Sequence, residues 1–297
     1  MCLTGNSKQS YNLAFMNKIG FNVLAWSAVI SDDLKPIVDR LKTIGYDGVE
    51  FLVGSPDTAA YRLLGDYVKN IGLEATTVFV VGKEENPISE VETVRVKALD
   101  RIKWAIDRTY DLNAKIISGP FHSAHAHFAK HEPQNREYGW SAEVLHRAGE
   151  YAAEANITLG LEAVNRFECY LCNTMEQLKR LVDMADHPNV QAMFDTHHAN
   201  IEEKKFSQAI STIAPVLTHV HISENDRGTP GDGHVDFDDV FSKLAKINYR
   251  GWLTIEAFSR NDPDFANSIG VWREYSKPWD IAESGLKFIK QMCTKHK

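Results

Sequence analysis

The chain has 297 residues, 43% of them apolar, and a formal net charge of −7 with histidine counted neutral. That length suits one large α/β barrel or two ordinary domains, and the acidic balance speaks against a polyanionic partner such as a nucleic acid. Four cysteines are few for a disulfide framework, no apolar run reaches the roughly 18 residues of a membrane span, and the start lacks a signal-peptide core, which together predict a cytoplasmic protein with no membrane partner.

Residues 1–15 are polar and unpatterned and read as a disordered extension ahead of a domain over 16–297. Ile19 to Trp26 is a β-like run. Asp32 can cap a helix to about Ile44 in which Leu34, Ile37, Val38 and Leu41 share a stripe, with Gly45 as its stop. Asp47 to Val53 reads as a second strand with Glu50 inside it, 57–71 as a helix ending at Gly72, and the β-branched run Leu73 to Val81 as a third strand. A helix over about 89–111 leads to a fourth strand, Ala114 to Ser118, closed by Gly119 and Pro120. A histidine-rich loop and a helix over about 137–156 precede the fifth strand, in which Ile157, Leu159 and Leu161 alternate. Helix 174–186, strand 190–194, helix 206–214, strand 217–222, helix 236–247, strand 251–257 and helix 280–293 complete the chain. Eight strand–helix units with no linker between them predict an α/β fold, a single-domain (β/α)8 TIM barrel. The open doubly wound alternative lacks its glycine-rich phosphate turn.

In such a barrel the C-terminal strand ends share one mouth. The fifth strand runs into Glu162 and the sixth into Asp195, His197 and His198. The seventh carries His219 and His221 and ends in Ser223 and Glu224, and the eighth runs into Glu256. A buried carboxylate needs a partner or a metal for its charge. Glu162, Asp195, His221 and Glu256 therefore read as one mixed oxygen–nitrogen site for a divalent ion, favouring Mn²⁺, Mg²⁺ or Co²⁺ over a thiolate-type structural zinc.

The segment Leu161-Glu162-Ala163-Val164-Asn165-Arg166-Phe167-Glu168, the run Asp195-Thr196-His197-His198-Ala199-Asn200-Ile201-Glu202-Glu203, His219-Val220-His221, Glu256 and Gly270-Val271-Trp272-Arg273 resemble the ketose 3-epimerases. That family holds the D-tagatose and D-psicose (allulose) 3-epimerases, among the xylose-isomerase-like barrels. The resemblance spans residues 16–295. It implies a metal-dependent isomerase that inverts C3 of free ketoses, such as D-fructose/D-psicose, D-tagatose/D-sorbose or ribulose/xylulose. It also implies Glu162, Asp195, His221 and Glu256 as ligands of one ion, Mn²⁺ first, and Glu162 and Glu256 as the catalytic acid/base pair. Glu168, His198 and Arg227 are implied to hold the O1 and O2 end of the ketose, and the assembly is implied to be a homodimer or homotetramer. The chemistry suits these residue types. A proton beside the C2 carbonyl must leave one face of C3 and return to the other, which takes two carboxylates. A cation, with Arg227 and His198, would stabilise the enediolate between those steps.

Other features compete with this reading. Phe121-His122-Ser123-Ala124-His125-Ala126-His127, with His131 beyond, looks like a metal cluster, but one flexible loop rarely sets a coordination geometry; since it follows strand four, one of its histidines can line the sugar pocket instead. Cys169-x-x-Cys172 lacks a thioredoxin-like context and reads as packing. Trp26 either stacks on a sugar or fills the barrel mouth, and Arg166 either orients a neighbour or touches substrate. A zinc-dependent AP endonuclease on the same barrel is the main rival, since Asp195, His198, His221, Asp232, His234 and Glu256 resemble part of its three-metal set. Strands two and three supply no histidine for it, and an acidic chain grips DNA poorly. Another sugar or keto-acid isomerase or dehydratase of the superfamily is a further alternative. A non-catalytic sugar binder would have no use for the paired Glu162 and Glu256.

Overall fold

Eight parallel strands close on themselves, each paired with its neighbours in sequence. The structure, a computed structural model, describes residues 17–297; the extension expected over 1–15 lies outside the described residues, as does Met16. The strands are β1 (Lys18–Asn22), β2 (Gly48–Leu52), β3 (Glu74–Val78), β4 (Ile116–Gly119), β5 (Thr158–Leu161), β6 (Val190–Asp195), β7 (Leu217–Ile222) and β8 (Trp252–Ile255). The barrel closes where β1 meets β8, with Phe21 opposite Ile255. Around it run α1 (Lys35–Ile44), α2 (Thr58–Asn70), α3 (Glu92–Asp111), α4 (Asn135–Glu154), α5 (Met175–Ala185), α6 (Thr196–Glu202), α7 (Phe206–Ile213), α8 (Phe237–Lys246), α9 (Pro263–Ser268) and α10 (Pro278–Lys295).

Local chemistry sets these boundaries. The Asp57 side chain accepts the Ala59 and Ala60 N–H groups that open α2, and Thr174 and Gln177 form a reciprocal capping box at α5. Gly45, at φ 108, ends α1 in the left-handed conformation that a glycine adopts without steric cost. Several strands are shorter than their apolar runs. β1 stops at Asn22, whose side chain accepts the Leu24 N–H and starts a 3-10 turn over Val23–Ala25. β3 stops at Val78, while Phe79 and Val81 stay buried beyond it. Trp26 packs between Phe21 and Trp279, with ring centroids 5.1 and 4.5 Å away, and so fills the wall.

The main core runs through the barrel and its helix shell, and a second cluster of Leu24, Val78, Phe258, Ala266 and Val271 sits at the mouth. Phe265 and Ile269 of the α9 region pack on that cluster and make one side of the mouth apolar. Among the described residues no helix is long and apolar enough to cross a membrane.

Gly119 ends β4 at φ 129, and a Cβ there would collide with the Phe79 carbonyl. Gly119→Ala is expected to cost about 1–3 kcal/mol in urea unfolding. Gly139, inside α4 with open space where its Cβ would go, should instead gain about 0.5–1 kcal/mol as Gly139→Ala. Equal effects at the two positions would contradict this account.

Candidate active site

The four strand-end residues meet. Ligand-capable atoms of Glu162, Asp195, His221 and Glu256 all lie within 4.8 Å of one another, and all four residues are buried. His221 Nδ1 stands 3.4 Å from Asp195 Oδ2 and 3.4 Å from Glu256 Oε2. Neither His221 Nδ1 nor the buried Glu162 Oε1 has a hydrogen-bond partner. Unpartnered buried acceptors facing three carboxylates make a poor resting arrangement without positive charge between them. The field says the same. Burial, Glu256 and Asp195 push the Glu162 carboxyl up. Burial also disfavours charge on His221, but the carboxylates of Glu256 and Glu50 raise its proton affinity well above the ordinary value. The donor set of three carboxylates and one imidazole fits a divalent cation.

Asp195 is fixed by the chain that follows it. Its Oδ1 accepts the His197 and His198 N–H groups at 2.6 and 3.1 Å and so caps α6. Its Oδ2 is thereby turned to the site, where Ser223 Oγ donates at 3.1 Å and Arg227 Nη1 at 3.0 Å. Burial opposes its ionisation, but Arg227 outweighs that and holds the Asp195 carboxyl well below the ordinary range. Arg227 Nη1 also donates to Glu256 Oε2 at 2.9 Å. Arg227 sits at φ 63, its guanidinium 4.9 Å from the centre of the Phe258 ring. Its loop is drawn in by the buried Glu224 carboxylate, which accepts the Gly231 and Val235 N–H groups at 2.9 and 3.0 Å.

One residue that sequence reasoning left without a role supports the cluster from below. Glu50, fully buried in β2, accepts from His221 Nε2 at 2.7 Å, Thr76 Oγ1 at 2.8 Å and Asn22 Nδ2 at 3.1 Å. A carboxylate only accepts, so Nε2 carries a proton toward Glu50 and Nδ1 is the nitrogen that faces the cluster. Asn22 Nδ2 also reaches Glu256 Oε1 at 3.3 Å. His219 Nε2 lies 2.9 Å from Glu50 Oε2, though out of line for a hydrogen bond. Burial pushes the Glu50 carboxyl up, and His221, with His219 behind it, outweighs this and holds it well below the ordinary range.

His198 and Glu168 border the same space. Asn165 donates to His198 Nδ1 from its backbone N–H at 3.2 Å and from Nδ2 at 2.9 Å, while Nδ2 also donates to Glu168 Oε1 at 2.7 Å. The Phe167 N–H on Asn165 Oδ1 fixes that amide's orientation. Donors thus face both ring nitrogens of His198, Asn165 at Nδ1 and Arg227 Nη2, which can only donate, at Nε2. Burial and then Arg227 push the His198 pKa down to about 3, leaving a neutral imidazole at pH 7. His198 Nε2 lies 3.6 Å from Glu162 Oε1 and 2.9 Å from Arg227 Nη2. Arg227 and His198 thus stand together beside the carboxylates. Above them opens a cavity of about 450 Å³, bordered by Glu162, Glu168, His198, Arg227 and Glu256 and by the apolar Leu52, Phe258 and Ile269.

The remaining sequence candidates fall elsewhere. His122 is buried, its Nε2 2.9 Å from the Glu162 carbonyl, and His131 faces Tyr170. Of the loop histidines, His125 borders the cavity. Cys169 and Cys172 are free and buried. Arg166 pairs with Glu202 through Nε at 2.9 Å and Nη2 at 2.7 Å and so braces α6. Asp232 and His234 are exposed and lie outside the four-residue cluster.

Residues 38–292 match the family described as xylose isomerase-like TIM barrel. The chain is 30% identical over 286 residues to the L-ribulose 3-epimerase of a Methylomonas species, spanning 94% of this chain and 99% of that protein. It is 27% identical over 270 residues to the D-psicose 3-epimerase of Agrobacterium fabrum, spanning 90% and 93%. The solved D-allulose 3-epimerase from Methylomonas sp., in complex with D-allulose, superposes with a TM-score of 0.87 at 29% identity, over 93% of this chain and 97% of that one.

Because the Glu50 carboxyl is held down in the fold, its stabilising effect is full at neutral pH and fades only as pH falls below the ordinary carboxylate range. Glu50→Gln turns an amide N–H toward His221 or leaves its Nε2–H a weaker acceptor, and is expected to cost about 3–5 kcal/mol at pH 7. Urea unfolding of both proteins from pH 7 to pH 3 should show the gap narrowing toward acid. A constant small gap would contradict the role given to Glu50.

Proposed function

We infer, for a chain that belongs to the xylose isomerase-like TIM barrels and among them to the ketose 3-epimerases, that it inverts C3 of free ketoses with Glu162 and Glu256 as the acid/base pair. The chain is a carbohydrate epimerase; the residue roles, the metal and the mechanism are the proposal. The observation that carries it is the convergence of two acid/base-capable glutamates with Asp195 and His221, ligand atoms within 4.8 Å, at the floor of a cavity sized for a sugar.

Glu162 and Glu256 come from β5 and β8, so they approach the cavity floor from different parts of the barrel wall. One takes the C3 proton and the other returns a proton to the opposite face, with roles exchanged in the reverse direction. Burial and neighbouring negative charge make Glu162 a better proton holder than a free glutamate. Glu162, Asp195, His221 and Glu256 would hold one divalent ion, Mn²⁺ by preference with Co²⁺ or Mg²⁺ as alternatives. When bound, that ion supplies Lewis acidity at the C2 carbonyl and offsets the negative charge of the enediolate. Arg227 directs N–H groups to the O2 side of the sugar, with the neutral His198 beside it. Glu168, ionised beside them, accepts from the O1 hydroxyl.

Epimerisation run in D₂O should place deuterium at C3 of the product and at no other carbon; deuterium at C1 would point to aldose–ketose isomerisation instead. Glu162→Gln and Glu256→Gln should each lose at least about 10²–10⁴-fold in kcat, and Glu168→Gln less, with a raised KM. Mn²⁺ should raise the Tm of the chelator-treated wild type and not of Glu162→Gln. The Asp232→Ala/His234→Ala double variant should keep its epimerase activity. Wild-type protein with full activity after metal removal, or DNA cleavage lost in that double variant, would overturn the reading.

A further inference from the structure

His125 lies on the loop after β4 and borders the cavity. The main chain holds it there. Its N–H donates to the Val81 carbonyl at 3.0 Å, and the next residue, Ala126, at φ 52, donates its N–H to the Glu168 carbonyl at 2.9 Å. His125 Nε2 then stands 3.5 Å from Glu168 Oε2, with both side chains about one-third exposed, at 29% and 37%. That separation is too long for a strong N–H···O bond. Glu168 Oε1 is already taken by Asn165, so Oε2 and the His125 ring keep capacity for something in the cavity.

We propose that His125 is a specificity-determining residue of the sugar site, forming with Glu168 a donor–acceptor pair that takes a free terminal hydroxyl at C1 of a ketose. The inference rests on the placement of Glu168 at O1 made above. A hydroxyl is the group that satisfies both partners at once: its oxygen accepts the ring N–H and its proton goes to the carboxylate, which can only accept. A phosphate at C1 would meet the Glu168 charge with no proton to share at neutral pH, so the pair selects free ketoses over ketose 1-phosphates. A methyl group there would leave both polar groups unpaired.

The test is steady-state kinetics of wild type, His125→Ala and His125→Phe on D-fructose or D-psicose and on the matching 1-deoxyketose. Wild type should use the 1-deoxy compound about 10- to 100-fold less well in kcat/KM. In both variants KM for the ketose should rise about tenfold with kcat within about threefold, while the 1-deoxy kinetics stay put, so that the gap narrows about tenfold, Glu168 still accepting from the hydroxyl. His125→Phe keeps the bulk of the ring and guards against a collapsed loop. Parallel losses on both substrates, or an unchanged gap, would overturn the inference while leaving C3 epimerisation standing. A wild type that turns over no ketose would overturn the proposed function and this inference with it.

Discussion

A carboxylate buried under the mouth of the barrel, Glu50, decides which nitrogen of His221 faces the cluster. The hydrogen bond from Nε2 to Glu50 Oε1, at 2.7 Å, joins residues 171 positions apart and exists only when β2 and β7 stand in the same closed ring. A buried ionised carboxylate is costly by itself. Here the cost is spread over Thr76, Asn22 and His221, donors from three different strands. Removing any of those strands from register would leave a charge in the core with too few partners. The barrel's closure and the availability of His221 Nδ1 are thus one constraint seen from two sides. Through Asn22, which also touches Glu256, the same network reaches one of the proposed acid/base groups.

Asp195 repeats the economy at the rim. One oxygen ends a strand's business by capping α6 and the other faces the site, so the helix start and the ligand position are set together. Arg227 then links Asp195 to Glu256 with a single nitrogen. Its place depends on Glu224, a carboxylate that serves backbone N–H groups only and keeps the loop folded over the mouth. The charge in the cluster is therefore held by parts that are themselves held.

Much of this was legible in the sequence, for reasons of periodicity. Apolar runs of strand length between amphipathic helices predicted eight units, and the acids and histidine after β5 to β8 predicted the cluster, because a strand's last residue has a fixed place at the mouth. What stayed illegible depends on closure or brevity. Glu50 stands out in its strand, but a glutamate between apolar neighbours does not reveal that its partner lies 171 positions away. α6 starts directly on the last residue of β6, with no turn residues to announce it, and α9 has six residues, too few for a helical stripe to register. The apolar runs at Trp26 and Val81 overstated their strands because burial at the mouth asks for apolar residues just as a ladder does. The histidine-rich loop could not be sorted by type: His122 sits under Glu162, His131 against Tyr170 and His125 at the cavity.

The cavity itself divides its labour by polarity. Glu162, Glu168, His198, Arg227 and Glu256 supply its charged and hydrogen-bonding groups, and Leu52, Phe258 and Ile269 supply apolar surface. Polar contacts are directional and apolar contacts are not, so only the first kind can fix the orientation of a bound molecule. Among the polar groups, His198 is the telling case. A cationic imidazole 2.9 Å from Arg227 would repel it, and burial with that same guanidinium keeps the ring neutral. Arg227 Nη2 can therefore donate to the ring at 2.9 Å. A guanidinium held in advance by Asp195, Glu256 and His198 needs no rearrangement when negative charge grows beside it. The neutrality of His198 is thus a consequence of burial and of the arginine beside it, and the two can stand in contact only because one of them carries no charge.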